Sequence, residues 1–256
     1  MSHESQRGMF SRRFSETAPV LRDDTDLARA VAAEQRDAAT RASVAHVRRV
    51  ARGQWDARAQ AEQTRGGHGF LVLGGLLVRR VGISDRFAAE LLGPGDLLRP
   101  LEHDGEAATL PFEATWRVLD PLKLAVLDRR WSLRMSAFPD VAIALTARAM
   151  LRSRRLANMF VIAAHPHLDD RLQLLLWELA DRYGTVGRDG VHVPIRMTHE
   201  VLSELAAARR PSVSAALSRL AGSGAVHRVS DGWLLVGDPP APPHVGASPS
   251  VELGAS

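Results

Sequence analysis

The chain has no cysteine, a single lysine and no long apolar run. Without cysteine it has no disulfide, no thiol redox sensor, no cysteine-held zinc and no cysteine-ligated iron–sulfur cluster. Its ten histidines are scattered. The closest pair, His165-Pro-His167, has no carboxylate at metal-ligand spacing and reads as a solvated corner between helices. No segment approaches the roughly 20 apolar residues of a membrane-spanning helix. The leading residues, with Glu4, Arg7, Arg12, Arg13 and Glu16 among them, lack the apolar centre of a secretory signal. A cytoplasmic protein with no membrane contact is expected. No Ser/His/Asp order, glycine-rich phosphate loop or paired carboxylate stands out, so an enzyme is not expected. No residue pattern asks for a cofactor.

What is present is a chain of 256 residues with 45% hydrophobic content, enough for two modest domains with cores of their own. The formal charge is only +4, and all but one of the 33 basic residues are arginine, Lys123 being the exception. The placement of these arginines therefore says more than their sum, because a guanidinium suits bidentate contact with phosphate and guanine.

The most informative stretch runs from Met197 to Leu220. It reads as two short helices around a tight corner. Thr198 can cap the first, with Val201, Leu202 and Leu205 on its buried side, and Val213, Leu217 and Leu220 recur at i, i+4 and i+7 on the second. Ala206-Ala-Ala208 between them lets two helices cross closely, as in a helix-turn-helix. The second helix is left with Arg209, Arg210, Ser212, Ser214 and Arg219 to face outward. Arginine reads guanine edges and phosphates, and serine hydroxyls suit phosphates or either base class. Ala225-Val-His-Arg-Val229 and Trp233-Leu-Leu-Val236 then bracket Ser230-Asp-Gly232, a hairpin signal that supplies a wing.

Upstream, the composition turns from polar to β-prone. Residues 1–26 read as a flexible tail and 27–138 as a β-roll domain led by a helix. In that roll Phe70-Leu-Val-Leu73 and Leu76-Leu-Val-Arg-Arg-Val81 read as two strands turning at Gly74-Gly75. Ala114–Leu119 and Leu122–Leu127 read as another pair around Asp120-Pro121, and Gly93-Pro-Gly-Asp96 is a further turn. Residues 139–165 form one long helix. Its stripe of Ala142, Leu145, Ala149, Arg152, Leu156, Met159 and Ala163 alternates spacings of three and four, and packs on a second copy or on the chain's own β-domain. Residues 166–237 are the winged helix-turn-helix domain, opened by an amphipathic helix over 168–183, and 238–256 is a disordered tail. The fold class expected is α+β.

A β-roll with Gly-Pro-Gly-Asp, a long helix and a winged helix-turn-helix in this order resembles the Crp/Fnr family of bacterial transcription regulators. The likeness covers roughly residues 70–236 and rests on Thr198-His-Glu-Val-Leu-Ser-Glu-Leu-Ala, Arg209-Arg-Pro-Ser-Val-Ser-Ala-Ala-Leu and Gly93-Pro-Gly-Asp96. It implies a jelly roll of the cyclic-nucleotide-binding type and a homodimer on a palindromic site in double-stranded DNA. It also implies contact with RNA polymerase, and a DNA-binding set of Thr198, His199, Arg209, Arg210, Ser212, Ser214 and Arg219, with Arg210 as principal base reader. In family members that bind cyclic nucleotides a Gly-Glu pair holds the ribose and an Arg-Ser or Arg-Thr neutralises the phosphate. Here the first place reads Leu98-Arg-Pro100 and the second falls near Phe112-Glu113, with no Lys or Arg between Arg99 and Arg117. A cyclic phosphate beside Glu113 would be desolvated without a counter-charge. Control by cyclic AMP or GMP in the usual mode is therefore not expected, and Gly95, Asp96 and Arg99 are the candidate ligand residues of the roll. The other reading is a ligand-sensing or scaffolding protein whose winged domain binds a protein.

Overall fold

The computed structural model describes residues 16–84, 86–100, 110 and 112–240. They form two compact units that meet within one helix, the first ending at Asn158 and the second starting at Met159.

The first unit opens with strand β1 (Glu16–Pro19) and helices α1 (Val20–Asp23), α2 (Thr25–Arg29) and α3 (Arg36–Ala42). Residues 16–26, expected within a flexible tail, are thus built into the fold, while 1–15 and 241–256 lie outside the described residues. The reason is burial. Val20, Leu21, Leu27 and Val31 are all at most 2% exposed. Ser43 ties the segment down: its hydroxyl accepts from the Leu21 amide at 3.2 Å, and its carbonyl accepts from the Trp131 indole at 2.9 Å.

Strands β2 (Val44–Val50), β3 (Gly53–Gln54), β4 (Gly69–Ile83), β5 (Arg86–Leu92), β6 (Leu97–Leu98) and β7 (Glu113–Leu127) follow, with the short α4 (Arg58–Ala61) between β3 and β4. The main path of the antiparallel sheet is β1-β2-β7-β4-β5, with β3 on β7 and β6 on β4. The two expected strand–turn–strand pairs are instead two unbroken strands of 15 residues, β4 and β7, bonded to each other. Gly74-Gly75 and Asp120-Pro121 face one another across that ladder, where the register shifts. Gly75 takes φ +87°, and a Cβ there would collide with the Pro121 carbonyl oxygen. Pro121 in turn has no N–H to give the ladder. The two signals mark one shared bend, not two turns.

Alternate side chains of β4 and β7 enter different cores. Phe70, Val72, Leu124 and Val126 join Trp55, Leu77, Leu92, Leu98 and Trp116 inside the roll. Leu71, Ala125 and Leu127 point the other way, into a core with Val20, Leu27, Trp131, Val141 and Leu145. That second core is closed by α5 (Arg129–Met135) and the start of α6 (Pro139–Ala164). Asp128 caps α5 by accepting from the Trp131 amide at 2.7 Å.

The seam expected on α6 is rotated. Val141 and Leu145 are buried in the β-domain core, whereas Ala142 and Ala149 are exposed. The residues that continue the buried side are charged: Arg148 grips Asp24, Arg152 grips Glu90, and Arg155 lies 3.9 Å from Asp96. An apolar count over the stripe misses them, because each arginine meets a carboxylate supplied from far along the chain. The Asp24 hydrogen bonds raise the pKa of Arg148 above the usual guanidinium value.

The second unit holds α7 (Leu168–Tyr183), the hairpin β8 (Thr185–Gly187) and β9 (Gly190–Val193), α8 (His199–Leu205), α9 (Arg210–Gly222), and the hairpin β10 (Val226–Val229) and β11 (Gly232–Leu235). Its four-stranded sheet runs β10-β11-β9-β8. Leu172, Leu175, Leu176 and Leu179 of α7 are buried as the period demanded, and the Gly184 amide closes its end on the Ala180 carbonyl. No helix among the described residues is long and apolar enough to cross a membrane.

Two measurements check this architecture. Gly75→Ala should cost about 1–3 kcal/mol in urea unfolding for the forced backbone, whereas Gly53→Ala, whose Cβ meets nothing within 4 Å, should cost less. His68 lies edge-on to Trp131, and burial, followed by the charge of Arg99, holds its pKa below the ordinary 6.5. Below about that pH the unfolded chain binds a proton that the folded chain refuses, so stability falls as pH drops. His68→Gln should flatten the decline as pH falls below about 7 in urea titrations; an unchanged slope would contradict the assignment.

Candidate functional site

The helix-turn-helix is held together by contacts that leave one side of α9 outside. Thr198 caps α8, its hydroxyl accepting from the Val201 amide at 3.2 Å. Val201, Leu202, Leu205 and Ala206 are buried against Val213, Ala216, Leu217 and Leu220 of α9, which packs on both α7 and α8. The corner is made by Ala207, which sits at φ +49°. That conformation costs an L-residue about 1–2 kcal/mol.

Arg171 of α7 offsets this cost. Its guanidinium donates to the carbonyls of Ala206 at 2.9 Å and His165 at 2.7 Å. It thereby satisfies a carbonyl that the end of α8 leaves without an intrahelical partner. Sequence reading missed this residue, since nothing in the local pattern of α7 says that an arginine will reach 35 residues downstream.

The predicted contact residues divide into two groups. Arg209, Arg210, Pro211 and Ser212 are exposed at the leading end of α9. Arg209 occupies the cap position without a side-chain cap bond, so the first amides of α9 are offered outward together with the guanidinium groups. The remaining residues have structural partners. His199 and Ser214 are joined at 2.8 Å, and the Ser214 hydroxyl reaches the Arg210 carbonyl at 3.2 Å. Arg219 makes two bonds to Asp169 in the first turn of α7, at 2.7 and 2.5 Å. These hydrogen bonds hold the Asp169 carboxylate below its ordinary pKa. The expected outward face is therefore concentrated in Arg209, Arg210 and Ser212, with His199, Ser214 and Arg219 serving to fix how that helix lies.

The wing is present as a two-residue turn at Ser230-Asp231 between β10 and β11. Arg228 lies over the Trp233 ring at 5.8 Å, and Asp231 meets His192 of β9 at 3.0 Å. The preceding β8–β9 hairpin was not anticipated. Its signal, Asp189-Gly190 between two short extended runs, is there in the sequence but is only seven or so residues wide.

In the first unit a cavity of about 730 Å³ opens beside β4, β6, β7 and α6, with His68, Arg79, Arg99, Trp116, Ser132 and Arg152 among its walls. Of the three candidate ligand residues only Arg99 lines it. Gly95, at φ +88°, and Asp96 build the turn instead: the Asp96 carboxylate is 4% exposed and accepts from the Gly93 amide at 2.8 Å. A carboxylate so deeply buried must be spent on donors of its own fold. No group of His, Asp and Glu among the described residues has the geometry to hold a metal ion.

Residues 170–241 match the family described as the Crp-like helix-turn-helix domain. No curated protein matches the chain. Among solved structures, a cyclic nucleotide-binding domain containing protein from Listeria monocytogenes is similar with a TM-score of 0.58 and 16% identity, over 73% of this chain and 87% of that one. A CooA mutant from Carboxydothermus hydrogenoformans is similar with a TM-score of 0.56 and 14% identity, over 88% and 94%. The regulator CLP of Xanthomonas campestris, described as responsive to c-di-GMP, is similar with a TM-score of 0.51 and 21% identity, over 76% and 95%. Residues 170–241 are thus a Crp-like helix-turn-helix domain, and the chain shares its fold with these solved structures over most of its length.

Proposed function

We propose that the protein is a sequence-specific DNA-binding transcription regulator that binds a palindromic site as a homodimer and is not controlled by cyclic AMP in the usual mode. The observation that carries this reading is the leading end of α9. Arg209, Arg210 and Ser212 are exposed there, while the apolar residues of the same helix are buried beneath them. Such a helix enters a major groove with its first residues at the base edges, and Arg210 is the base reader. Arg209 and the first amides of α9 take phosphates. The Asp169 bridge sets the rotation of α9 and leaves Arg219 at the flank of the groove.

Dimerisation is assigned to α6. Ile143 and Met150, seven residues apart, are 66% and 71% exposed, and Phe160 and Val161 are 72% and 73% exposed. Apolar side chains at that spacing on a helix whose other side is committed to the β-domain suit packing on a second copy. Two recognition helices would then sit about one DNA turn apart, roughly 34 Å, on an inverted repeat. The β-domain is the sensor, and RNA polymerase is the natural protein partner once bound to a promoter.

Arg210→Ala should weaken binding to a selected site by about 1–3 kcal/mol and relax the preference at one base position, measured by fluorescence anisotropy. Binding as tight as wild type would overturn the assignment of α9. Affinity should also fall steeply with salt, and Arg209→Gln should reduce the slope of log K against log salt by about 1. A protein-binding winged domain would show no such slope on DNA.

A further inference from the structure

We propose that α9 recognises thymine by its methyl group, with Pro211 and Ala215 as the residues that touch it beside a guanine held by Arg210. The inference rests on the reading of α9 as the helix that enters the major groove.

No aspartate, glutamate, asparagine or glutamine occurs in α9, Arg210–Gly222. A carboxylate would accept from the amino group of cytosine, and a carboxamide would pair with both polar groups of adenine. This helix can do neither. Its direct contacts with base edges are left to guanidinium groups, hydroxyls and apolar surface.

The placement of these groups decides among them. Val213, Ala216, Leu217 and Leu220 are buried. At 3.6 residues per turn, the side opposite them carries Pro211, Ala215 and Ser218, spaced by four and three. All three are exposed. They form the crest of α9, the line that goes deepest when the helix lies in a groove. Arg210 and Ser214 stand on one flank of the crest, Ser212 and Arg219 on the other.

Several of the polar groups are already engaged. The Ser214 and Ser218 hydroxyls donate to the carbonyls of Arg210 and Ser214, at 3.2 and 3.0 Å, and Arg219 is held by Asp169. The guanidinium groups of Arg209 and Arg210, by contrast, have no partner among the described residues. Polar base reading by α9 thus narrows to Arg210, whose preferred edge is guanine.

Nothing long stands on the crest. A pyrrolidine ring and a methyl group let the backbone of α9 approach the base edges closely. The apolar feature that a base offers in the major groove is the C5-methyl group of thymine, and alanine is suited to meet it. Pro211 and Ala215 are roughly 6 Å apart along the helix axis, so they reach the methyl groups of different base pairs. Because Pro211 follows Arg210 directly, the half-site has a thymine, on either strand, within about two base-pair steps of the guanine.

The test uses the full chain and the duplex selected from random sequence for tightest binding, read by fluorescence anisotropy. Each half-site thymine is replaced in turn by deoxyuridine, which removes the methyl group and keeps every hydrogen-bonding group. Deoxyuridine in the spacer between half-sites is the control. At least one half-site position should weaken binding about fourfold, the worth of one buried methyl group, and the spacer should show no change. Ala215→Gly should lose that penalty while keeping the salt dependence of wild type. Ala215→Ser, which sets a hydroxyl against the methyl group, should reduce the penalty too and serves if the glycine variant unfolds.

The proposal is overturned if no half-site thymine is sensitive, if the spacer is equally sensitive, or if neither Ala215 variant alters the penalty. A preferred half-site of G·C pairs alone overturns it as well. Selective binding that is lost in Arg210→Ala yet indifferent to uracil sinks this inference and leaves the regulator reading standing. Absence of any sequence-selective binding sinks both.

Discussion

The pairing of β4 with β7 is the constraint on which the β-domain depends. These two long strands are central in the sheet, and each supplies alternate side chains to two different cores. Leu71 and Ala125 look one way, while Phe70, Val72 and Leu124 look the other. The roll interior and the helical cover over 16–43 are therefore registered by the same ladder. Loss of that ladder would release both. The shared bend at Gly75 and Pro121 lets such long strands wrap without opening the sheet, since neither residue obliges the ladder to stay flat there.

Charge plays in α6 the part that apolar periodicity plays elsewhere. After Val141 and Leu145 have been buried, the helix keeps to its β-domain through Arg148, Arg152 and Arg155 on Asp24, Glu90 and Asp96. These pairs are partly buried, and each carboxylate is also a component of another element: the cap of α2, strand β5 and the Gly93–Asp96 turn. Breaking one partner of such a pair costs more than the pair contributes, because the survivor is left buried and unpaired. The helix is thereby tied to the walls of the adjoining cavity, which Arg152 also lines.

Much of this was legible in the residues. The helix-turn-helix, the wing and α7 follow from strong 3.6-residue and 2-residue periods with caps and turns at the right offsets, as in Thr198, Gly184 and Ser230-Asp231. The β-roll was legible as a set of short strands, yet Gly74-Gly75 and Asp120-Pro121 each carry the local signature of a turn. A turn residue reports local backbone freedom, and only a partner strand decides whether that freedom makes a reversal or a bend. The order in residues 16–26 was hidden because Val20, Leu21 and Leu27 are spread among Arg22, Asp23, Asp24 and Asp26, so their burial depends on Trp131 and Leu127 far away. Likewise the partners of Arg171, Arg152 and Arg219 lie 35, 62 and 50 residues off, beyond any local pattern. The exposure of Arg209, Arg210 and Ser212 on α9 was readable; the partners that occupy His199, Ser214 and Arg219 were not.

The facing kink of the two long strands also limits how the chain can change in length. One extra residue in β4 before Gly75 would turn Phe70 and Val72 toward the wrong core while Pro121 kept β7 in place. Insertions in either strand must come as compensating changes in both. Growth and shrinkage are left to the ends of the ribbon, beyond the last β4–β5 pair of Ile83 and Arg86.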